Sequence, residues 1–152
     1  MSYSQYKYNF YLNASHAIYQ NGVRGERHPH TWQISLYIVN DKNTFTMFHQ
    51  VEKIIEDYLG QYQEKYINEC PPFDSLNPTL ENIAQCFMKE LSIKLNQHDF
   101  MILTIEISET PSRSYIISNV ENNIMDEIRT RNIAKEILKK NTPKETDHTT
   151  KE

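Results

Sequence analysis

His28 and His30 stand two residues apart in the stretch Arg24-Gly25-Glu26-Arg27-His28-Pro29-His30-Thr31-Trp32. In a strand, residues at i and i+2 point to the same face. Two imidazoles side by side form one side of a tetrahedral metal site when a neighbouring strand offers a third. His16 is the candidate for that third ligand. Three neutral imidazoles and an open fourth position are the donor set of a catalytic zinc. An isolated His-x-His motif proves little, and its plain alternative is a pair of surface histidines at a strand start. A lone inward His16 reads equally well as a hydrogen-bonded core residue. The second feature is Glu109, an acid that closes the apolar row Met101, Leu103, Ile105 and Ile107. A buried carboxylate is costly unless it is paired or hydrogen-bonded. Glu109 therefore either meets solvent at a strand end or waits for a donor-rich ligand.

The elements that must position these groups are written in the hydrophobic pattern. Tyr8, Phe10, Leu12, Ala14 and His16 alternate, which predicts a half-buried strand over Tyr6–His16. Tyr19 to Arg27, with Gly22 and Gly25, is expected to be a polar loop. A second strand is predicted from His28 to Val39, with His28, His30, Trp32, Ile34, Leu36 and Ile38 on its inner face. Paired as a hairpin, the two strands bring their histidines to the same end of the sheet. Asp41-Lys42-Asn43 reads as a turn. Phe48, Val51, Ile54, Ile55, Tyr58 and Leu59 predict a helix from Met47 to about Tyr66, with Gly60 as a weak point or an early stop. After a break at Cys70–Leu76, Asn77 as N-cap and Pro78 at the first helical position start a second helix. Its apolar set is Leu80, Ile83, Ala84, Phe87, Met88, Leu91 and Leu95, with Cys86 packing as a small hydrophobe.

A third strand runs from Phe100 to Glu109 and a short fourth from Ser114 to Ser118, around a turn at Thr110–Arg113. Ile124, Ile128, Ile133 and Ile137 predict a C-terminal helix within Val120–Lys140. The polar tail Asn141–Glu152 is expected to be disordered. The order of elements predicts an α+β layout. It is a four-stranded antiparallel sheet with two helices packed on one face, plus the C-terminal helix, in a single domain over residues 1–140. The other face and the edges of the sheet would be covered by assembly.

Bulk properties narrow the partners. The 152 residues suit one domain with a real core. The net charge of -4 and the lack of a basic stripe argue against nucleic acid. No apolar run approaches the ~20 residues of a membrane span. Met1 to Lys7 is polar, with no signal-peptide core. Cys70 and Cys86 make no disulfide framework. A cytoplasmic protein is expected.

Several short motifs then fall into a known order. Phe10-x-x-x-Ala14-Ser15-His16, His28-Pro29-His30, Asn77-Pro78-Thr79-Leu80-Glu81-Asn82 and Ile107-Ser108-Glu109-Thr110 occur at the spacing found in one family. The chain resembles the 6-pyruvoyl-tetrahydropterin synthase and 6-carboxytetrahydropterin synthase family, which has the tunnelling (T-) fold, over roughly Tyr6 to Ser118. The resemblance implies zinc (Zn2+) held by His16, His28 and His30. It implies a pterin anchored by Glu109, with Thr79 and Glu81 as further substrate-binding candidates. It also implies a homo-oligomer whose sheets join into a barrel, with sites between subunits. Members of the family make pterins from 7,8-dihydroneopterin triphosphate, zinc acting as a Lewis acid on the side-chain oxygens.

The resemblance fails at the proton-transfer groups. The family's cysteine, four residues before the His-x-His motif, is replaced by Arg24, which cannot act as a base near neutral pH. A subgroup's glutamate, three residues before the motif, is replaced by Gly25. Glu26 is adjacent, although a one-residue shift in an extended segment turns a side chain to the opposite face. Where the family has an Asp-His pair, this chain has Gln63 and Glu64. Glu26 and Glu64 are the catalytic candidates, and Cys70 and His49 are candidates with no motif behind them. Pro29 replaces the family's glycine and removes a backbone donor. Besides the plain option that His16, His28 and His30 bind no metal and the fold is only structural, two readings follow. One is a zinc-dependent lyase of this family, acting on dihydroneopterin triphosphate or a related pterin with a rearranged acid–base set. The other is a non-catalytic member that binds zinc and a pterin.

Overall fold

The computed structural model describes residues 4–40 and 46–120 and, beyond them, the helical positions 130, 133, 134 and 136–138. Two compact units divide the chain, Met1–Asn119 and Val120–Glu152. In the second, every described position of the expected C-terminal helix is helical. The rest of that helix, the tail from Asn141 and the Asp41-Lys42-Asn43 turn lie outside the described residues.

The first unit runs β1 (Tyr6–His16), β2 (Tyr19–Gln20), β3 (Val23–Arg24), β4 (His28–Asn40), α1 (Phe48–Leu59), α2 (Leu80–Asn96), β5 (Phe100–Thr110) and β6 (Arg113–Ser118), with a single 3-10 turn at Ile67–Glu69 before α2. The main sheet is antiparallel in the order β1-β4-β5-β6. Period-2 alternation puts Tyr8, Phe10, Leu12 and Ala14 of β1 and Trp32, Ile34, Leu36 and Ile38 of β4 in the core. Val51, Ile55, Tyr58 and Leu59 of α1 and Ile83, Ala84, Phe87, Leu91 and Leu95 of α2 close over them. Each such Leu, Ile or Val side chain taken fully out of water contributes about 1.5–3 kcal/mol.

The opposite face of the sheet is polar. Ser35 donates to Asn9 at 2.6 Å, Thr31 to Asn13 at 2.8 Å and Ser108 to Ser114 at 3.0 Å. Tyr11 and Ile116 are exposed on the same face.

Three boundaries differ from expectation. The first helix stops at Leu59 instead of Tyr66. Gly60 takes the C-cap, and its N–H donates to the Glu56 carbonyl at 2.8 Å. The chain then turns back along the outer edge of β1. Gln63 accepts from Asn13 N–H at 2.6 Å and donates to the Tyr11 carbonyl at 3.3 Å. Ser15 N–H donates to the Lys65 carbonyl at 2.9 Å. That edge hydrogen bonding, together with burial of Tyr62 and Ile67, outweighs continued helix.

The second helix starts at Leu80, capped by Thr79, whose hydroxyl accepts from Asn82 N–H at 3.2 Å. Asn77 cannot serve as cap because its amide is committed to Tyr19. It accepts from Tyr19 N–H at 3.0 Å and donates to the Tyr19 carbonyl at 2.9 Å. Finally, Tyr19 to Arg24 is a small hairpin and not a plain loop. Asn21 (φ 50°) and Gly22 (φ 78°) occupy its left-handed turn, the Asn-Gly combination that two-residue hairpins favour.

Candidate metal centre

The β1–β4 register sets His16 opposite His28 and Ala14 opposite His30. Alternation turns all three rings inward at one end of the sheet. Ring centroids lie 4.5 Å (His16–His28), 5.1 Å (His16–His30) and 4.8 Å (His28–His30) apart. One ligand-capable atom from each lies within 4.8 Å of the others. Trp32 forms the floor, its ring centroid 5.0 Å from those of His16 and His30. His16 is fully buried, while His28 and His30 are half-buried.

Hydrogen bonding decides which nitrogen each ring offers. His16 Nδ1 lies 2.8 Å from the Pro78 carbonyl, and His28 Nδ1 lies 2.9 Å from the Glu26 carbonyl. A carbonyl only accepts, so both Nδ1 atoms carry the proton. With Nδ1 carrying the proton, the nitrogen left to bind an ion is Nε2 in each ring, and the two Nε2 atoms lie 2.9 Å apart. Burial lowers the His16 pKa to about 4, reinforced by His28 and His30 and opposed by the Pro78 hydrogen bond. The His30 pKa is also lowered, chiefly by burial, against the pull of Glu109. His16 is therefore neutral near pH 7. The two Nε2 atoms are close enough to share one positive centre, a proton or a metal ion. A tetrahedral ion with bonds of about 2.0–2.1 Å holds ligand atoms on edges of roughly 3.3 Å, close to the spacing of this pair. Backbone carbonyls that fix the tautomer are also the usual partners of metal-ligating histidines. The triad fits a metal ion.

Glu109 reaches the same place from β5. Its Oε1 is buried, has no hydrogen-bond partner among the described residues and lies 3.8 Å from His16 Nε2. The contact joins a carboxylate to a neutral ring, because His16 is not protonated near pH 7. The Glu109 side chain is 10% exposed.

The remaining candidates are spread around this cluster. Glu64 and Lys65 border an open groove of about 720 Å³ with Asn13, Ser15, Pro29 and Thr31, whose side chains belong to the face of the sheet opposite the imidazoles. Glu64 is exposed and has a positive φ of 59°. Glu26 does not line the groove. Its side chain is exposed, and its carbonyl is the group that orients His28. Thr79 spends its hydroxyl on the helix cap, and Glu81 is exposed in the first turn of α2. Cys70 is half-buried, 3.6 Å from the Tyr66 carbonyl, and His49 is exposed on α1. A side chain is poorly tolerated at Gly25. Its N–H donates to the Ile18 carbonyl, and an added Cβ would stand 3.0 Å from that oxygen.

The sequence pattern did not single out the groups that hold the site in place. Asn68 accepts from Ala17 N–H and donates to the Ala17 carbonyl, both at 2.8 Å, directly after His16. Arg27 donates to Ser15 at 2.8 Å and lies over the Tyr66 ring at 4.3 Å. The signal available for Asn68 and Asn77 was their side chain: a primary amide can imitate one rung of a strand ladder.

Comparison with known proteins points the same way. The model of the family described as 6-pyruvoyl tetrahydropterin synthase matches residues 5–120. No curated protein matches the sequence. Similar solved structures include Caenorhabditis elegans 6-pyruvoyl tetrahydropterin synthase, at 13% identity over 76% of this chain and 95% of that one, with a TM-score of 0.64. An uncharacterized protein of Wolinella succinogenes aligns at 11% identity over 76% and 98%, with a TM-score of 0.60. Plasmodium vivax 6-pyruvoyl tetrahydropterin synthase aligns at 14% identity over 75% and 97%, with a TM-score of 0.53. A glutamate is a catalytic residue of the Plasmodium vivax enzyme. At these identities the structural likeness is a likeness of fold. No helix among the described residues is long and apolar enough to cross a membrane.

Proposed function

Because the chain belongs to the 6-pyruvoyl tetrahydropterin synthase family, we propose that it binds zinc through His16, His28 and His30 and acts as a lyase on 7,8-dihydroneopterin triphosphate or a related pterin. The observation that carries this reading is the facing pair of Nε2 atoms at 2.9 Å, each with its Nδ1 turned to a carbonyl. Zinc bound there supplies Lewis acidity to the oxygens of the pterin side chain.

The chain's own residues do the rest. Glu109 accepts hydrogen bonds from the amidine edge of the pterin, a bidentate arrangement that fixes ring orientation. Trp32 closes the floor and keeps water from the buried side of His16. Glu64, on the strap hydrogen-bonded to the outer edge of β1, is the favoured proton acceptor, and Glu26 the second. A carboxylate in this role agrees with the glutamate of the Plasmodium vivax enzyme. Thr79 and Glu81, at the start of α2 next to the carbonyl that holds His16, bind substrate at the rim. The working form is a cytoplasmic homo-oligomer with sites between subunits.

Exposure of both Glu26 and Glu64 favours a second reading, a non-catalytic member that binds zinc and a pterin. A turnover assay separates the two. Zinc-loaded protein is given 7,8-dihydroneopterin triphosphate and the products are separated by mass. A new pterin is expected, and its side chain names the reaction among 6-pyruvoyl, 6-carboxy and 6-hydroxymethyl products. Glu64→Ala then lowers the rate by about 10²–10⁴, whereas Glu26→Ala has the smaller effect. Bound substrate with no product, at full zinc occupancy, means that the chain is a binding protein.

A further inference from the structure

Glu109 stands too close to the histidines for the role of a ring anchor alone. Its Oε1 is 3.8 Å from His16 Nε2, and its charge also acts on His30. A pterin presents its amidine edge and its side chain at opposite ends of a fused two-ring system. That ring cannot lie between this carboxylate and an ion held by His16. The same carboxylate oxygen is buried without a hydrogen-bond partner among the described residues, a costly arrangement unless a cation or a donor meets it. An edge of a tetrahedral zinc site is roughly 3.3 Å, so a small rotation of the side chain brings Oε1 to the spacing of a fourth ligand.

We propose that Glu109 is the fourth metal ligand before substrate binds, and that the arriving pterin displaces it from the ion to its own donor edge. This rests on the metal and pterin readings above and deepens them. A three-histidine, one-carboxylate shell is coordinatively complete and holds the ion firmly in the resting protein. The shell opens when a ligand that competes for Glu109 enters, so the Lewis-acidic position becomes available together with the substrate. His16, fixed by Pro78, and His28, fixed by the Glu26 carbonyl, stay where they are. The moving part is one side chain at the end of β5.

Cobalt(II) substitution of the full chain tests this, with neopterin as the probe ligand. The visible spectra of wild type and Glu109→Gln are expected to differ without neopterin and to coincide at saturation. Glu109→Gln is also expected to weaken zinc binding about ten- to hundred-fold in chelator competition, and the difference should vanish with neopterin bound. Identical spectra from the start overturn the proposal, as do spectra that stay different once neopterin fluorescence reports full binding. Failure of the wild type to take up cobalt removes the metal reading and this proposal with it. Differing cobalt spectra with no neopterin bound keep Glu109 on the ion but strike the pterin reading and, with it, the displacement step. A crystal structure of the zinc-loaded wild type gives a check that needs no variant. A Glu109 Oε1–zinc distance of about 2.0–2.2 Å is expected, and a distance beyond hydrogen-bonding range overturns the assignment.

Discussion

Two ends of one surface, the inner face of the sheet, have been put to opposite uses. From Tyr8 to Leu12 on β1 and from Ile34 to Ile38 on β4, the inward side chains are apolar and closed off by α1 and α2. Further along the same strands, in the same alternation, the inward side chains are His16, His28 and His30. The backbone geometry does not change between the two ends. What changes is the covering. At the apolar end helices seal the row, and at the histidine end the α2 entry meets it with a carbonyl, that of Pro78. A strand fixes which way a residue points, and the element opposite decides whether it packs or binds.

The comparison is broken most severely at the apolar end. Leu36→Ala removes a side chain with no exposure and is expected to cost about 2–5 kcal/mol in chemical denaturation, while the folded fraction still takes up zinc. Acid attacks the other end. The unfolded chain protonates His16 near pH 6.5 and the folded chain only near 4. Stability is therefore full above pH 6.5 and is lost as the pH falls toward 4. The loss is on the order of 3 kcal/mol in zinc-stripped protein, and urea titrations across that range measure it. Thr79→Ala, which removes the α2 cap, is expected to cost about 1 kcal/mol and to weaken zinc binding slightly, because Pro78 precedes the cap. His28→Ala sharpens the contrast from the opposite side. Stability of the stripped protein should change by less than about 1 kcal/mol, yet metal analysis should find the ion lost. If His28→Ala unfolded the protein as Leu36→Ala does, the two ends would not be distinct.

Much of this was legible in the chain because it depends on period alone. The alternation from Tyr6 to His16 and from His28 onward gave both strands and the shared phase of the histidines. Their pairing as a hairpin followed from adjacency. The start of α2 was not legible. Asn77 and Thr79 are both good caps, and the choice falls to Thr79 because Tyr19, far away in sequence, claims Asn77. The end of α1 was half legible: Gly60 marked an early stop as one of two readings, and what made it the stop lies elsewhere. Gln63 and Lys65 leave the helix for hydrogen bonds to β1 that no local pattern announces. The Asn21-Gly22 turn was written plainly and simply outweighed by the polarity around it. The residue types that could transfer protons were visible. Their distances from the histidines depend on loop paths, and alternation carries no information about those.

The strap formed by Gln63 to Lys65 also bears on how copies of this chain can meet. It occupies the outer edge of β1 at Tyr11, Asn13 and Ser15. A strand arriving from another subunit is therefore barred from that stretch and has to end at or before Phe10. Sheets joined at this edge would be offset along the strand direction instead of aligned end to end. In a closed ring, such an offset repeats at every junction and accumulates as shear, which fixes the tilt of the strands and the width of the barrel.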